Sequence, residues 1–568
     1  VRISTFLILV MLSGVVILLS AVSPVCAETG GIWAYQGAYS EFSASEAKSF
    51  AESIHRSEEP EEVPEQASGA ENNAGGRIRL LEPLQGTVFP KDLASPLFWW
   101  SVASDKPNAW LLTVSVGDSP VLSLVTSNER WIPESHHWSM IREQAQAVSG
   151  GSFSVALSAV GGWDGRTIEQ EVSARFSFSE DPVGASVFFL RKPVPFAVGQ
   201  AHPENTQWLL ADVASAGSAA KVMDGLPICG NCHAFSPGGQ LLGMDVDVDG
   251  DKGGYLLVKT SKDVVVGKGD VISWNNRPTP PPAQYSFGLF TALSYDGRFA
   301  ASTIGESSLF VSLEDKAFSQ LFFPVTGRIG VYDTAAKKHF DLSGANDDRV
   351  VQTAPAFSPD GRTLAFSRAP VDDALLQAVL SGQVKGEPSS SSIHALNKKY
   401  PIQFDIWTVP FNQGKGGVPE PLKGASGNGK SNYFARYSPD GKWIVFTQSP
   451  TGLVLQPRSR LMIVPAGGGE ARPLAGNVDG MNSWHSWSPN GRWLVFSGKS
   501  RSPETELFLT HVSEEGVASP AIRLFRYSAG GQAVMVPEFV PESCSGLQTV
   551  RFGFPLDGSR QVKSGNTR

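Results

Sequence analysis

Cysteine is scarce in this chain: four residues in 568. That excludes a disulfide-stapled scaffold, which needs many more for a chain of this length. Charge is also sparse. Asp, Glu, Lys and Arg make up 18% of the residues and the formal net charge is −8, so nothing supplies the basic face that a nucleic acid partner requires. Long apolar runs are missing apart from one, Phe6 to Leu19, and no second stretch is long enough to cross a bilayer. Gly-x-Ser-x-Gly, the phosphate-binding P-loop and His-Glu-x-x-His are all absent, which removes the usual sequence marks of a serine hydrolase, a nucleotide-binding enzyme and a zinc peptidase. What is plentiful is Gly (58), Pro (39) and Trp (14), a composition that suits a turn-rich, all-β protein.

The single apolar run follows Arg2 and precedes the small residues Ser20 to Ala27, with Val25-Cys26-Ala27 before Glu28. Residues 1–27 read as a bacterial-type export signal, so the expected location is periplasmic or secreted, with no transmembrane anchor after cleavage. The alternatives are an uncleaved anchor, for which the run is near the lower limit of length, and lipid attachment at Cys26, for which Ser23-Pro24-Val25 is a poor lead-in. Residues 28–76 are acidic, Pro-containing and then small and polar, as a linker is. Residues 556–568 read as a tail. Residues 77–196 hold strand-like segments, among them Trp110 to Val116 and Ser152 to Leu157, with a short helix over Trp138 to Gln146. This span resembles an immunoglobulin or fibronectin type III β-sandwich.

Beyond residue 200 the chain repeats. Phe357-Ser358-Pro359-Asp360-Gly361-Arg362 returns as Tyr437-Ser438-Pro439-Asp440-Gly441-Lys442 and as Trp487-Ser488-Pro489-Asn490-Gly491-Arg492. Weaker copies begin at Phe235 and Leu293, and a degenerate one lies at Pro537 to Pro541. The turn residues punctuate a tight bend, and the apolar run after each reads as a buried strand. The repeats resemble the TolB-type, WD40-like β-propeller family over residues 200–555. The resemblance implies an all-β propeller of six blades, with seven as the alternative, and a rigid platform with a funnel for a partner or small-molecule ligand. Trp208 to Asp212 is a candidate outer strand for closing the ring. The insertion from Asp372 to Tyr400 reads as an exposed loop. A Ser-His-Asp triad assembled from propeller turns would leave no local signature.

One motif stands apart from the repeat. Cys229-Gly230-Asn231-Cys232-His233 is C-x-x-C-H, the attachment signature of a covalent c-type haem. Two thiols can bond the macrocycle while His233 reaches the iron. A structural zinc would need four ligands, and neither a second Cys pair nor a matching His pair is present. A bare disulfide of this spacing would be strained and redox-active and would leave His233 unexplained. His233 lies three residues before Ser236, and His485 lies three before Ser488. That equivalence makes His485 a candidate distal ligand, two blades from His233. The plain alternative is a histidine satisfied by a backbone carbonyl. Met244, close in sequence, is the second distal candidate or a core methionine, and an open sixth position is the third option. Asp245, Asp247 and Asp249 alternate along one strand and resemble the first half of an EF-hand loop, but position twelve is Leu256, without the bidentate Glu. They are candidate calcium ligands or a solvated hairpin with Lys252 beside it. Cys544 has no assignable partner. The sequence expectation is therefore an exported propeller carrying one haem c, an electron carrier more than a catalyst, with a redox partner protein. A non-enzymatic binding scaffold is the rival.

Overall fold

The computed structural model describes residues 78–103, 107, 109–161, 167–195, 198–199, 202–226, 232–276, 286–311, 316, 321–380, 398–452 and 456–556, together with a two-residue pairing of Met11–Leu12 with Val15–Val16. The export signal, the linker, Cys229 and nearly all of the tail lie outside the described residues. The described residues from Ile78 to Leu556 belong to one compact unit. Among the described residues no helix is long and apolar enough to cross a membrane.

The N-terminal part is a sandwich of a five-stranded and a three-stranded sheet. Alternation along Ala109–Val116, Ser152–Gly161 and Thr167–Ser179 turns one face of each strand inward. Phe89, Phe98, Trp100, Trp131 and Phe153 are sequestered there. One helix, Ser135–Gln146, covers the core with His137, Trp138, Ile141 and Ala145. Its Trp138 indole N–H donates to the Leu93 carbonyl at 3.0 Å, so the ring is buried without an orphaned donor. Val88–Pro90 pairs in parallel with Thr167–Ser179, a departure from the all-antiparallel sheets of an immunoglobulin domain.

Six four-stranded blades follow. Blade one takes its inner strand from the far end of the chain: Gln532–Phe539 pairs with Val187–Pro193, which continues to Gln207–Ala211 and Ala220–Asp224. Blades two to six begin with inner strands His233–Phe235, Leu289–Leu293, Val350–Phe357, Ser431–Tyr437 and Asn482–Trp487. Neighbouring inner strands pack side by side around the axis, and blade one's inner strand packs between those of blades six and two. The ring is thus closed by sequence-distant strands. A second latch lies beyond it. Ser543 donates to the Gly239 carbonyl at 2.6 Å, and Thr549–Phe552 pairs in parallel with Asp263–Val266 beside blade two.

Each blade turn is built from the repeated residues. In blade four the Ser358 hydroxyl donates to Asp360 (2.6 Å) and accepts from the Thr363 N–H (3.0 Å). Asp360 also accepts from the Arg362 N–H, and Gly361 takes φ +66°, a left-handed conformation that favours glycine. Blades five and six repeat these bonds at Ser438 and Ser488. The repeat in the sequence is this hydrogen-bonded turn.

The chain enters the propeller at Val187, not after residue 200: Val187–Pro193 is the second strand of blade one. Its apolar residues Val187 and Phe189 share one buried cluster with the sandwich residues Phe89 and Trp131 and with Trp493 and Val495 of blade six. The two parts therefore share a core. In the expected loop after Asp372, the described residues include a helix, Asp373–Leu380.

Candidate functional site

Counting back from each turn serine, or from Val540 in blade one, aligns the six inner strands. Four residues before it stand Cys232, Phe290, Ala354, Phe434, Trp484 and Val536. All except Cys232 have positive φ, between 42° and 58°. For residues other than glycine each such conformation costs about 1 kcal/mol or more. Pairing slips at the same place, between Leu289 and Ala292, Thr353 and Ala356, Tyr433 and Arg436, and Ser483 and His485. These are β-bulges, which re-aim side chains. Their side chains line a cavity on the propeller axis. Phe290 and Phe434 meet across it edge to face, centroids 4.9 Å apart. Cys232 occupies the corresponding place in blade two and lines the same cavity. The space between these groups totals about 540 Å³, including the part open to solvent.

His233 and His485 both line this cavity. Inner strands of blades six, one and two are consecutive round the ring, so the two imidazoles stand two blades apart. His233 is 3% exposed, and neither ring nitrogen makes a hydrogen bond. Its ring meets Phe188 edge-on at 4.7 Å. Burial lowers its pKa to about 3, with the nearby Phe188 and Val536 carbonyls opposing. The imidazole is therefore neutral, the form in which it ligates metals. His485 Nε2–H donates to the Val445 carbonyl at 3.0 Å, while its Nδ1 has no partner. Burial lowers its pKa to about 3 as well. The carbonyl-satisfied alternative thus describes one of its nitrogens.

Met244 is brought next to His233 but not across from it. The two are cross-strand partners with side chains on the same face of blade two. Met244 is fully buried in the apolar cluster that contains Phe188, Trp208 and Leu242, and it is not among the cavity's lining residues. Side by side on one face, the two side chains would not bracket a metal ion between them.

The three aspartates do not form a cation cage. Among the described residues the one cluster of metal-capable side chains is Glu134, His136 and His137 in the sandwich. A register shift between Val246 and Val248 and positive φ at Asp249 break the alternation. Asp249 pairs with Lys268 at 3.1 Å and is exposed. Asp247 is half-buried and its carboxyl is pushed up by burial. Asp245 turns to Cys232: its N–H donates to the Cys232 carbonyl at 3.1 Å. Burial pushes the Asp245 carboxyl well above its usual range, and burial, then Asp245, does the same to the Cys232 thiol.

Two cavity residues escaped the sequence reading. Two positions before the turn serine, four blades carry Ala234, Ala292, Ala356 and Ser486, all buried. The other two carry Arg436 and Glu538, and both line the cavity. A long charged residue in a slot reserved for small ones was the signal. Glu538's carboxyl is raised by burial, with Arg436 opposing. Cys544, buried, lies with its sulfur 3.9 Å from the Gly239 carbonyl, in the latch and apart from the cavity.

No protein-family model and no curated protein sequence matches this chain. Among solved structures it is similar to TolB from Acinetobacter baumannii, at 15% identity over 71% of this chain and 86% of that one, TM-score 0.39. A putative TolB from Agrobacterium tumefaciens gives 15% identity, 63% and 99% coverage and a TM-score of 0.32. The hydrazine synthase of Kuenenia stuttgartiensis gives 15%, 55% and 72%, and 0.29.

Proposed function

We propose that this chain is an exported c-type haem protein in which the propeller axis holds the macrocycle, and that its role is electron transfer. One observation carries the reading. His233, which completes Cys229-x-x-Cys232-His233, is a buried neutral imidazole in the axial cavity whose nitrogens make no well-formed hydrogen bond, with only the Phe188 and Val536 carbonyls near them, where a buried polar group ordinarily has a firm partner. An iron would supply it. The surroundings fit the group: Phe290, Phe434 and Trp484 offer apolar faces for a macrocycle, and Cys232 lines the same cavity.

In this reading Cys229 and Cys232 tether the group and His233 is the proximal ligand. When bound, the haem supplies one-electron chemistry, which the protein tunes through axial ligation and solvent access. The chain's own residues do the rest. The bulged inner strands hold the aromatic side chains against the axis. The Cys232 thiol, raised rather than lowered in pKa, lacks the thiolate character of a catalytic dithiol, which favours attachment over disulfide exchange. His485 is the distal candidate. Its Nε2–H stays on Val445 while Nδ1 is bare, an arrangement in which the outer hydrogen bond fixes ring and tautomer. Electron transfer through one bound group would need a partner protein, which would be expected to dock near the cavity mouth.

The test is optical. Protein exported by a host competent in cytochrome c maturation should show a Soret band, with a low-spin spectrum unmoved by carbon monoxide. A carbon monoxide response would replace electron transfer by small-molecule chemistry. A colourless protein would leave the second reading, a ligand-binding propeller, which Arg436 in the cavity favours.

A further inference from the structure

The axial cavity contains one permanent charge. Its titratable lining groups are Cys232, His233, Arg436, His485 and Glu538. A guanidinium stays charged throughout. Yet Arg436 makes no ion pair with any described carboxylate, and its guanidinium donates no hydrogen bond among the described residues. The Arg328, Arg349, Arg368 and Arg523 side chains all reach a carboxylate within 4 Å. The contacts recorded for Arg436 run through its backbone: its carbonyl accepts from the Trp487 indole at 3.4 Å, and the residue pairs across the strand with Val445.

Three features coincide at this residue. It occupies a repeat slot that four other blades fill with Ala or Ser, so the blade itself does not require it. It projects into a concave, aromatic-walled space with five unused donors. Its charge acts on His233, His485, Cys232 and Glu538 together, which places it among the groups proposed to hold the cofactor. Carboxylates are the partner whose geometry matches its fork.

We propose that Arg436 is a carboxylate-binding residue at the centre of the axial cavity. The carboxylate has two sources. One is a propionate of the macrocycle, which deepens the haem reading; the other is a small carboxylate ligand, which does not depend on it. Glu538 shares the cavity without pairing to Arg436, so it leaves the guanidinium available.

The experiment uses full-length protein in two forms, haem-matured and the Cys229→Ala/Cys232→Ala variant, each with Arg436 intact, Arg436→Gln and Arg436→Lys. In matured protein, a shift of the propionate bending band in the resonance Raman spectrum on Arg436→Gln, smaller in Arg436→Lys, assigns the propionate. In either form, calorimetric titration with acetate and succinate reads the free ligand. Binding weakened about 10- to 100-fold by Arg436→Gln and partly kept by Arg436→Lys assigns a small carboxylate. Glu538→Gln should not weaken that binding. Urea midpoints matching the parent show that the variants fold. A Raman band that does not move, together with acetate and succinate affinities indifferent to Arg436, overturns the proposal. Failure of the cavity to hold haem at all removes only the first source, and the titration of the cysteine-free form still decides the second.

Discussion

Replacing the turn serines one blade at a time tests the account of the repeat quantitatively. Ser488 is fully buried; it donates to Asn490 at 2.6 Å and accepts from the buried Trp493 N–H at 2.9 Å. Ser488→Ala orphans that N–H, costing about 1–3 kcal/mol, and deletes the second bond, about 0.5–1.5 kcal/mol. The expected total is about 2–4 kcal/mol. Ser236 is equally buried and accepts from the Leu241 N–H at 3.1 Å, but Gly238 stands where blades three to six have Asp or Asn. Ser236→Ala should therefore cost only the orphaned donor, about 1–3 kcal/mol, and less than Ser488→Ala by the value of one bond. Ser358→Ala adds a pH signature. The Ser358 hydroxyl, before any other group, holds the Asp360 carboxyl below its usual range. A carboxylate with a depressed folded pKa stabilises above its unfolded pKa, and that contribution is lost as pH falls through the folded value. The gap between parent and Ser358→Ala should narrow in acid. The assay is urea unfolding followed by tryptophan fluorescence, comparing midpoints at constant slope. Equal losses at Ser236 and Ser488, or losses under about 0.5 kcal/mol at both, would refute the hydrogen-bonded turn as the origin of the repeat.

Glu306, with its carboxyl pushed up to about 8 by burial, is protonated in the fold where the unfolded chain is ionised. Its stabilisation is complete below about pH 4.5 and fades as pH rises through 8. Glu306→Gln, which keeps the acceptor for the Gly288 N–H, should match the parent near pH 5 and exceed it at pH 8; a parallel loss at both would contradict this. His233 and His485, lowered to about 3, act the other way: stability should fall as pH drops from about 6.5 towards 3, and His485→Ala should flatten that limb in haem-free protein. In matured protein, His485→Ala should convert low-spin iron to high-spin; an unchanged spectrum removes it as ligand. Phe539, 4% exposed on the ring-closing strand, should cost about 3–5 kcal/mol on truncation to Ala, read as a lower urea midpoint; near-neutrality would argue against closure by this strand.

What the sequence revealed follows from what repeats. Ser358, Ser438 and Ser488 recur because the same turn needs the same hydroxyl, and these three copies, with the weaker ones at Phe235 and Leu293 and the degenerate one at Pro537 to Pro541, led to six blades. Equivalence of His233 and His485 was readable for the same reason: a fixed offset from a fixed turn puts both at the axis. Val187–Pro193 was assigned to the wrong part because alternation marks a strand and does not say which sheet it joins; its partner, Gln532–Phe539, is more than 300 residues away. The aspartate row does not stand on one face because alternation assumes a regular strand, and the bulge near Asp247 breaks it. Arg436 and Glu538 were missed because the eye follows what a repeat keeps. They are visible only as exceptions in the Ala/Ser slot. The bulges that aim Phe290, Phe434 and Trp484 inward carry no glycine, so no residue type announced them.

The central proposal is that Cys229, Cys232 and His233 hold a haem in the axial cavity. Intact-mass measurement of the mature protein, made in a host that attaches haem c, tests it most directly. The account predicts the polypeptide mass plus one haem, abolished in Cys229→Ala/Cys232→Ala and retained in His485→Ala. A mass equal to the bare polypeptide would contradict it.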